Sequence, residues 1–537
     1  MRKKIISSAV CLALISVTAC DSFLDINPRT QLSEEEFYKT EEQVMMGLYD
    51  VMNEVQTRLM EIHSYCALLS DEVVTGGEVS SDAYKVKWDN FTFDAAGAFG
   101  EWGYGSWWNE WDHGVYDGVM AATIVIDKVN SSGLDPAFVH AIDAEARFYR
   151  ALFYYYIFTG YEQFPLIKEI LSVDDMYTVG KASRQEAYEF IISELDDNIS
   201  QYLPERAATQ QGRICRDAAR VLRAKTILFH RDESRYPSAF NDMSEIIGSN
   251  RYQLDPDYLH LWLKDGEWKS ESIYEVAFAG NNSNEGCVIL RGVGGRGIVD
   301  PRSAEQGGLM HGYGELTMSL GIYNMFQPGD RRREGTVIVY AAEIAKVQEM
   351  ESKGELPTGS RFEIDTVNQA NAEGLGHYKY HPRKETSTPV DPLNNYYASF
   401  RMFRFADVLL LGAELDVRIN GNATVSQEWF DRVRDRAFAD NLHRIQLNGG
   451  RQSNLDILFQ ERGFEFTDEM QRWFDIMRFD KGDEILGPSA PGYPVRVNGI
   501  VQRVGNKGWT ERYRYFPIDQ SEIDKSKGNL TQNPGWL

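Results

Sequence analysis

The chain runs to 537 residues, carries 80 Asp and Glu against 56 Lys and Arg, and has a formal net charge of -24. Its length suffices for a large core or for two closely packed units. Its acidity excludes a nucleic-acid binder, which needs Lys and Arg to neutralise phosphates, and argues against electrostatic attachment to anionic lipid.

The N-terminus reads as an export signal. Arg2, Lys3 and Lys4 form a basic start, Ile5 to Val17 is an apolar run too short to span a bilayer well, and small residues precede Cys20. Val17-Thr18-Ala19-Cys20 has the layout of a bacterial lipobox, so residues 1–19 are expected to be cut away and Cys20 to take lipid. That cleavage moves the net charge to -27, since only Arg2, Lys3 and Lys4 leave. Cys66, Cys215 and Cys287 then remain, odd in number and without a CxxC pair. At most one disulfide is possible, and buried free thiols are the expected state rather than a zinc or redox motif.

The first half is patterned for helices. Ser33 with Glu36 has capping-box spacing, followed by Val44, Leu48, Val51, Met52 and Val55. Ile142, Ala146, Tyr149, Phe153, Tyr156 and Ile157 fall on one helical face, which Gly160 and Pro165 terminate. Ser183 and Glu186 open another helix through Tyr188, Ile191, Ile192 and Leu195, and Ala218 to Leu228 supply a fourth with small residues for close approach. Such helix pairs cannot bury their apolar faces alone and must stack. From about 250 to 400 helical periodicity fades and short strand-like runs appear at Ile273–Phe278 and Val337–Tyr340. Helical pattern returns at Phe405–Leu415 and over Leu455–Met477, and the tail from Tyr515 reads as loop. The expected fold is mainly α: a tetratricopeptide-like helix-pair scaffold with an irregular, loop-rich lobe containing short strands.

Five blocks resemble the SusD/RagB family. They are Cys20-Asp21-Ser22-Phe23-Leu24-Asp25-Ile26-Asn27-Pro28; Glu145 to Leu152 with Phe164-Pro165-Leu166; Arg404 to Leu411 with Ala413-Glu414; Glu461 to Phe466 with Arg472 to Arg478; and Phe516-Pro517-Ile518 with Asn529 to Gly535. They stand in family order from residue 20 to the C-terminus. Ala121-Ala122-Thr123 departs from the Ala-Asn pair usual after the family's aromatic loop. The resemblance implies a SusD-like helical region over 20–235 and a SusD/RagB-like region with the irregular lobe over 236–537. It also implies an outer-membrane lipoprotein facing the cell surface, a SusC-like TonB-dependent transporter as partner, a glycan as ligand, no cofactor and no bond-breaking.

The residues offer two candidate binding segments. Trp88, Trp102, Trp107, Trp108 and Trp111 fall within 24 residues, interleaved with Tyr84, Phe91, Phe93, Phe99 and Tyr104, and broken by Gly97, Gly100, Gly103 and Gly105. Flat rings on a loop suit the C–H face of a sugar, each contact being worth roughly 1 kcal/mol for ~50 Å² buried. Trp88, Trp102, Tyr104 and Trp107 are the candidate platforms, with Asn109, Glu101 or Asp94 to orient hydroxyls. Trp111 and Tyr116 are expected to pack, and Trp88 competes for packing too, in a strand-like alternation with Val86 and Phe91. The second segment, 281–314, opens with Asn281-Asn282-Ser283-Asn284 and carries Arg291, Arg296, Arg302 and Tyr313 among glycines. Arg and Asn suit hydroxyl or carboxylate recognition, although pairing of the arginines with nearby carboxylates is the expectation in so acidic a chain.

Other motifs carry less. Gly292 to Gly297 satisfies GxGxxG, and Cys287 to Leu290 could supply the strand before it, but Ile298-Val299-Asp300-Pro301 does not open the helix that a dinucleotide site needs after it, and no βαβ pattern surrounds it. His377 and His381 are read as surface histidines, Asp89-Asn90 with Asp94 is too short for a calcium loop, and no metal is expected. No GxSxG elbow occurs, and no acidic pair stands out as a glycosidase dyad. Glu461, Arg462, Glu465, Asp468 and Arg472 are read as helix-surface ion pairs. Peptide capture on the same scaffold is the alternative, and a surface glycoside hydrolase a third.

Overall fold

A computed structural model describes residues 37–77, 83–95, 114–206, 211–280, 286–365, 373–388, 395–490, 493–497, 500–505 and 507–536. Cys20 and the Ser33–Glu36 signature lie outside the described residues. Helix α1 (Glu41–Leu68) carries a capping box of its own: Thr40 Oγ1 accepts from Gln43 N at 3.3 Å and Gln43 Oε1 from Thr40 N at 3.1 Å. Helices α3 (Val115–Ser131) and α4 (Pro136–Gly160) form a hairpin. Asp135 caps α4 and Pro136 starts it, where its missing N–H costs nothing. Gly118 faces Phe153, whose ring would collide with any Cβ there. From Ala144 to Gly160 every residue of α4 except Arg147 is buried, so this helix is enclosed on all sides rather than on one face.

Packing passes from helix to helix. α1 lies on α3, α3 on α4, α4 on α5 (Arg184–Glu194), α5 on α6 (Arg216–His230) and α6 on α7 (Tyr236–Gly248). α7 then meets α10 (Phe405–Asn420), which packs on α11 (Gln427–Phe438) and α12 (Arg451–Phe466). α13 (Arg472–Arg478) returns to α1 and α6. α5 starts at Ser183 with Glu186 completing the predicted capping box. The chain is therefore mainly α-helical, built by helix-pair packing. Among the described residues no helix is long and apolar enough to cross a membrane.

The strands form two-stranded antiparallel ladders, in the irregular lobe and outside it. β1 (Val73–Thr75) pairs with β5 (Leu316–Met318), β4 (Ser272–Val276) with β8 (Phe400–Arg404), and β6 (Val337–Val339) with β7 (Leu375–His377). β2 (Phe164–Pro165) pairs with β3 (Lys181–Ala182), and β9 (Tyr493–Val497) with β10 (Ile500–Gly505). Tyr340 does not extend β6; it opens α9 (Tyr340–Ser352). Ile298, Leu309, Ile338, Tyr340, Val347, Leu356 and Phe362 form a second small core beside the main one. Cys66, Cys215 and Cys287 are buried and free. The tail is not all loop, since α14 (Gln520–Lys525) forms within it.

The charges on α12 and just after it correct the surface reading. Glu461, Arg462, Glu465, Asp468 and Arg472 are all buried. Arg332 bonds Glu461 at 2.7 Å and Glu465 at 3.1 Å, Arg404 bonds Glu465 at 2.6 Å and Glu271 at 2.7 Å, and Arg436 joins both carboxylates. Burial alone would raise the Glu465 carboxyl, but Arg436, Arg404 and Arg332 hold it well below the usual carboxylate range. His377 and His381 are likewise interior, not surface. His377 Nδ1 lies 2.9 Å from one oxygen of Asp468, and His63 Nε2 lies 3.1 Å from the other.

Candidate functional site

The end of α1, β1 and α2 (Ala83–Asp89) bring the first aromatic segment onto the body. Trp88 sits in this helix, not in a strand. Its ring lies 3.5 Å from that of Tyr65 between centroids, Tyr84 meets it edge-on at 5.5 Å, and only 3% of the residue is exposed. So buried a ring is a core residue and not a platform. Phe93 stacks on Trp536 at 5.6 Å. Tyr116 is half-buried and donates from its hydroxyl to Pro165 O at 2.6 Å. Trp102, Tyr104, Trp107, Asn109 and Trp111, and Asn281 to Asn284, lie outside the described residues.

The second segment begins with α8 (Val288–Val293), where a strand had been allowed for, and no helix follows Gly297. The GxGxxG glycines instead make close backbone packing. Tyr313 N donates to Arg291 O at 2.7 Å, Gly312 N to Gly295 O at 3.0 Å, Gly314 N to Gly294 O at 2.8 Å and Glu315 N to Gly292 O at 2.9 Å. A Cβ on Gly312 would stand 2.5 Å from Gly294 Cα, so this approach requires glycine. Gly76 N donates to Glu315 O at 2.9 Å, and Lys85 Nζ lies 2.6 Å from Glu315 Oε2. The two segments, more than 200 residues apart in sequence, are thereby joined.

On this mount stands Tyr313, 39% exposed. The Arg291 guanidinium lies 5.1 Å from the centre of its ring, and His311 meets the ring edge-on at 6.3 Å. His311 Nδ1 accepts from Gly297 N at 2.9 Å, which leaves the neutral ring's proton on Nε2. Burial and then the positive charge of Arg296 lower the His311 pKa. Tyr396 donates from its hydroxyl to His311 O at 2.7 Å. His381 Nε2 accepts from Gly295 N at 3.3 Å, and burial brings its pKa down to about 3. Arg302 is not part of this group: it is buried and 2.6 Å from both Asp300 and Glu343. The structure thus brings together Arg291, Arg296 and Tyr313, with Lys85, His311 and Glu315 as neighbours that the sequence reading missed. Of these only His311, two residues from Tyr313 within a His-Gly-Tyr-Gly run, carried any sequence signal.

Elsewhere, a concavity of about 210 Å³ lies between α3 and α14, lined by Tyr116, Met120, Ile167, Tyr177, Leu530 and Glu522. Burial and then the Asp519 charge push the Glu522 carboxyl up to about 7. Among the described residues no group of three or more His, Cys, Asp or Glu side chains is placed to hold a metal ion.

Two family models match the chain. One, described as the SusD family, covers residues 303–536, and the other, described as starch-binding associating with outer membrane, covers 22–228. The chain belongs to the SusD/RagB family. SusD-like protein P2 of Formosa agariphila is 22% identical over 97% of this chain and 98% of its own. SusD-like protein P25 of the same organism is 24% identical over 87% and 88%. Among solved structures, surface glycan-binding protein A of Bacteroides thetaiotaomicron superposes with a TM-score of 0.75 at 21% identity, over 93% of this chain and 100% of that one. Its namesake from Bacteroides fluxus gives 0.73 at 23%, over 92% and 99%. These likenesses establish the SusD fold over nearly the whole length.

Proposed function

We propose that this SusD-family protein is a non-catalytic binder of oligosaccharides and polysaccharides at the cell surface. On this reading residues 1–19 are a signal peptide, Cys20 carries the lipid that anchors the protein in the outer membrane, and a SusC-like TonB-dependent transporter receives the ligand. The helix pairs serve as a tetratricopeptide-like scaffold. Trp102, Tyr104, Trp107 and Asn109 complete the binding surface with Arg291, Arg296 and Tyr313.

One observation carries the proposal: an exposed phenol ring, Tyr313, is held with an arginine beneath it on a mount of interlocking glycines. A ring so fixed loses little freedom when a sugar lies on it. Three such platforms with a few hydrogen bonds to hydroxyls give about -4 to -5.5 kcal/mol, a Kd of roughly 0.1 to 1 mM. Similar solved structures point the same way: one is a surface glycan-binding protein in complex with laminarihexaose, another a laminarin-binding SusD-like protein.

Electrophoresis of the mature protein through gels containing a broad panel of polysaccharides tests this. Retardation by at least one polymer, weakened about fivefold in Tyr313→Ala, with no new reducing ends in solution, is the expected result. Retention of peptides and of no polysaccharide would replace glycan with peptide capture. Release of reducing ends would make the protein a hydrolase.

A further inference from the structure

We propose that the Arg291–Tyr313 site recognises the acidic group of a glycan, a uronate carboxylate or a sulfate ester, rather than a neutral sugar alone. The inference rests on the glycan-binding reading above and narrows its ligand class. Acidic residues outnumber basic ones by 80 to 56, so an arginine at the surface is expected to find a carboxylate. Even the buried Arg302, eleven residues further on, is held by two carboxylates. Among the described residues Arg291 has no carboxylate within ion-pair distance, and its Nε is buried without a hydrogen-bond partner. What it has instead is the ring of Tyr313.

That arrangement leaves a guanidinium partly desolvated, with one face covered by an aromatic ring and its edge N–H groups available. A planar fork of this kind matches the two oxygens of a carboxylate or sulfate, while the exposed side of Tyr313 offers the apolar surface for the sugar ring. The nearby carboxylate of Glu315 is already occupied by Lys85 at 2.6 Å, and Arg296 lies close enough to lower the pKa of His311. The charge of the whole chain works against adventitious binding: a protein of net charge -24 repels a polyanion at long range. In physiological salt that repulsion fades beyond ~8 Å, whereas a direct guanidinium contact does not. Retention of an acidic polymer therefore reports a local site.

Matched polymers provide the test: dextran against dextran sulfate, and polygalacturonate against its carboxyl-reduced form, each in gels at 0.15 M salt, with the neutral polymers of the broader panel alongside. The expected result is that at least one acidic member binds tenfold or more tighter than its neutral counterpart, and that Arg291→Gln lowers this ratio about tenfold while Arg291→Lys recovers part of it. Equal binding of charged and neutral members, or an acidic preference that survives Arg291→Gln, overturns the inference and leaves the glycan-binding reading standing. Absence of binding to every polysaccharide overturns both. Equal binding by the wild type overturns the inference even if the variants fold poorly.

Discussion

Tyr313 and His381 show how single side chains set the site. Tyr313 is exposed because its own backbone is committed to Arg291 and its flanking glycines to Gly294 and Gly295, so the ring is left outside the packing. His381 holds the other side of that turn in its neutral form, accepting from Gly295 N and lying close to Pro382 O through Nδ1. Its pKa is about 3 when folded, against about 6.5 in an unfolded chain. Stability from this group is present in full above pH 6.5 and is lost as pH falls toward 3. By pH 5 the loss amounts to about 2 kcal/mol. Denaturant midpoints at pH 7 and pH 5 should therefore fall further apart in the wild type than in His381→Gln. An equal spread in the two proteins would contradict the assignment. Arg291, Arg296 and Tyr313 could be picked out from sequence because polar and aromatic residues among glycines signal a surface turn. Trp88 misled because a dense run of rings does not say which ones face inward. Its burial is decided by Tyr65 on α1, a partner that local pattern cannot name.

At the scale of elements, α5 and α12 behave oppositely. The Ser183–Glu186 box is local chemistry and was readable: Ser183 Oγ accepts from Glu186 N at 3.2 Å, and Glu186 Oε2 accepts from Ser183 N at 2.9 Å. Ser183→Ala is expected to cost about 1 kcal/mol in unfolding free energy. The carboxylates of α12 could not be placed, because their partners Arg332, Arg404 and Arg436 lie on three other segments and only the fold brings them in. Spacing along the helix is the same for an exposed charge ladder and for this buried one. Removing Glu465 would leave three interior arginines short of a counter-charge, so Glu465→Ala should destabilise by about 3 to 5 kcal/mol, measured by chemical denaturation. A change under 1 kcal/mol would mean the arginines find other acids. Near the site, Gly312→Val should displace the Gly294–Gly312 backbone approach and lower glycan affinity more than it lowers the melting temperature, since the mount lies at the edge of the main core.

Over the whole molecule the C-terminal tail packs back onto the first aromatic segment. Trp536 stacks on Phe93, meets Tyr513 edge-on at 5.3 Å and donates from Nε1 to Tyr515 O at 2.9 Å. Trp536→Ala is expected to cost about 3 to 5 kcal/mol, as for other large buried aromatics, and a melting temperature within 1 °C of wild type would contradict that. The mainly helical class and the order of the family blocks were readable because helical periodicity and block order survive at 22–24% identity. The joining of β1 to β5, which seats α2 beside the Tyr313 turn, was not, because three-residue strands carry almost no periodicity. The central claim is that saccharide lies on Tyr313. Oxidative footprinting of the mature protein tests it directly, because Tyr49 at 53% and Tyr202 at 45% exposure are internal controls of similar accessibility. With a retained polysaccharide at saturation, Tyr313 should lose most of its reactivity while Tyr49 and Tyr202 keep theirs. Unchanged labelling of Tyr313 under those conditions would contradict the account.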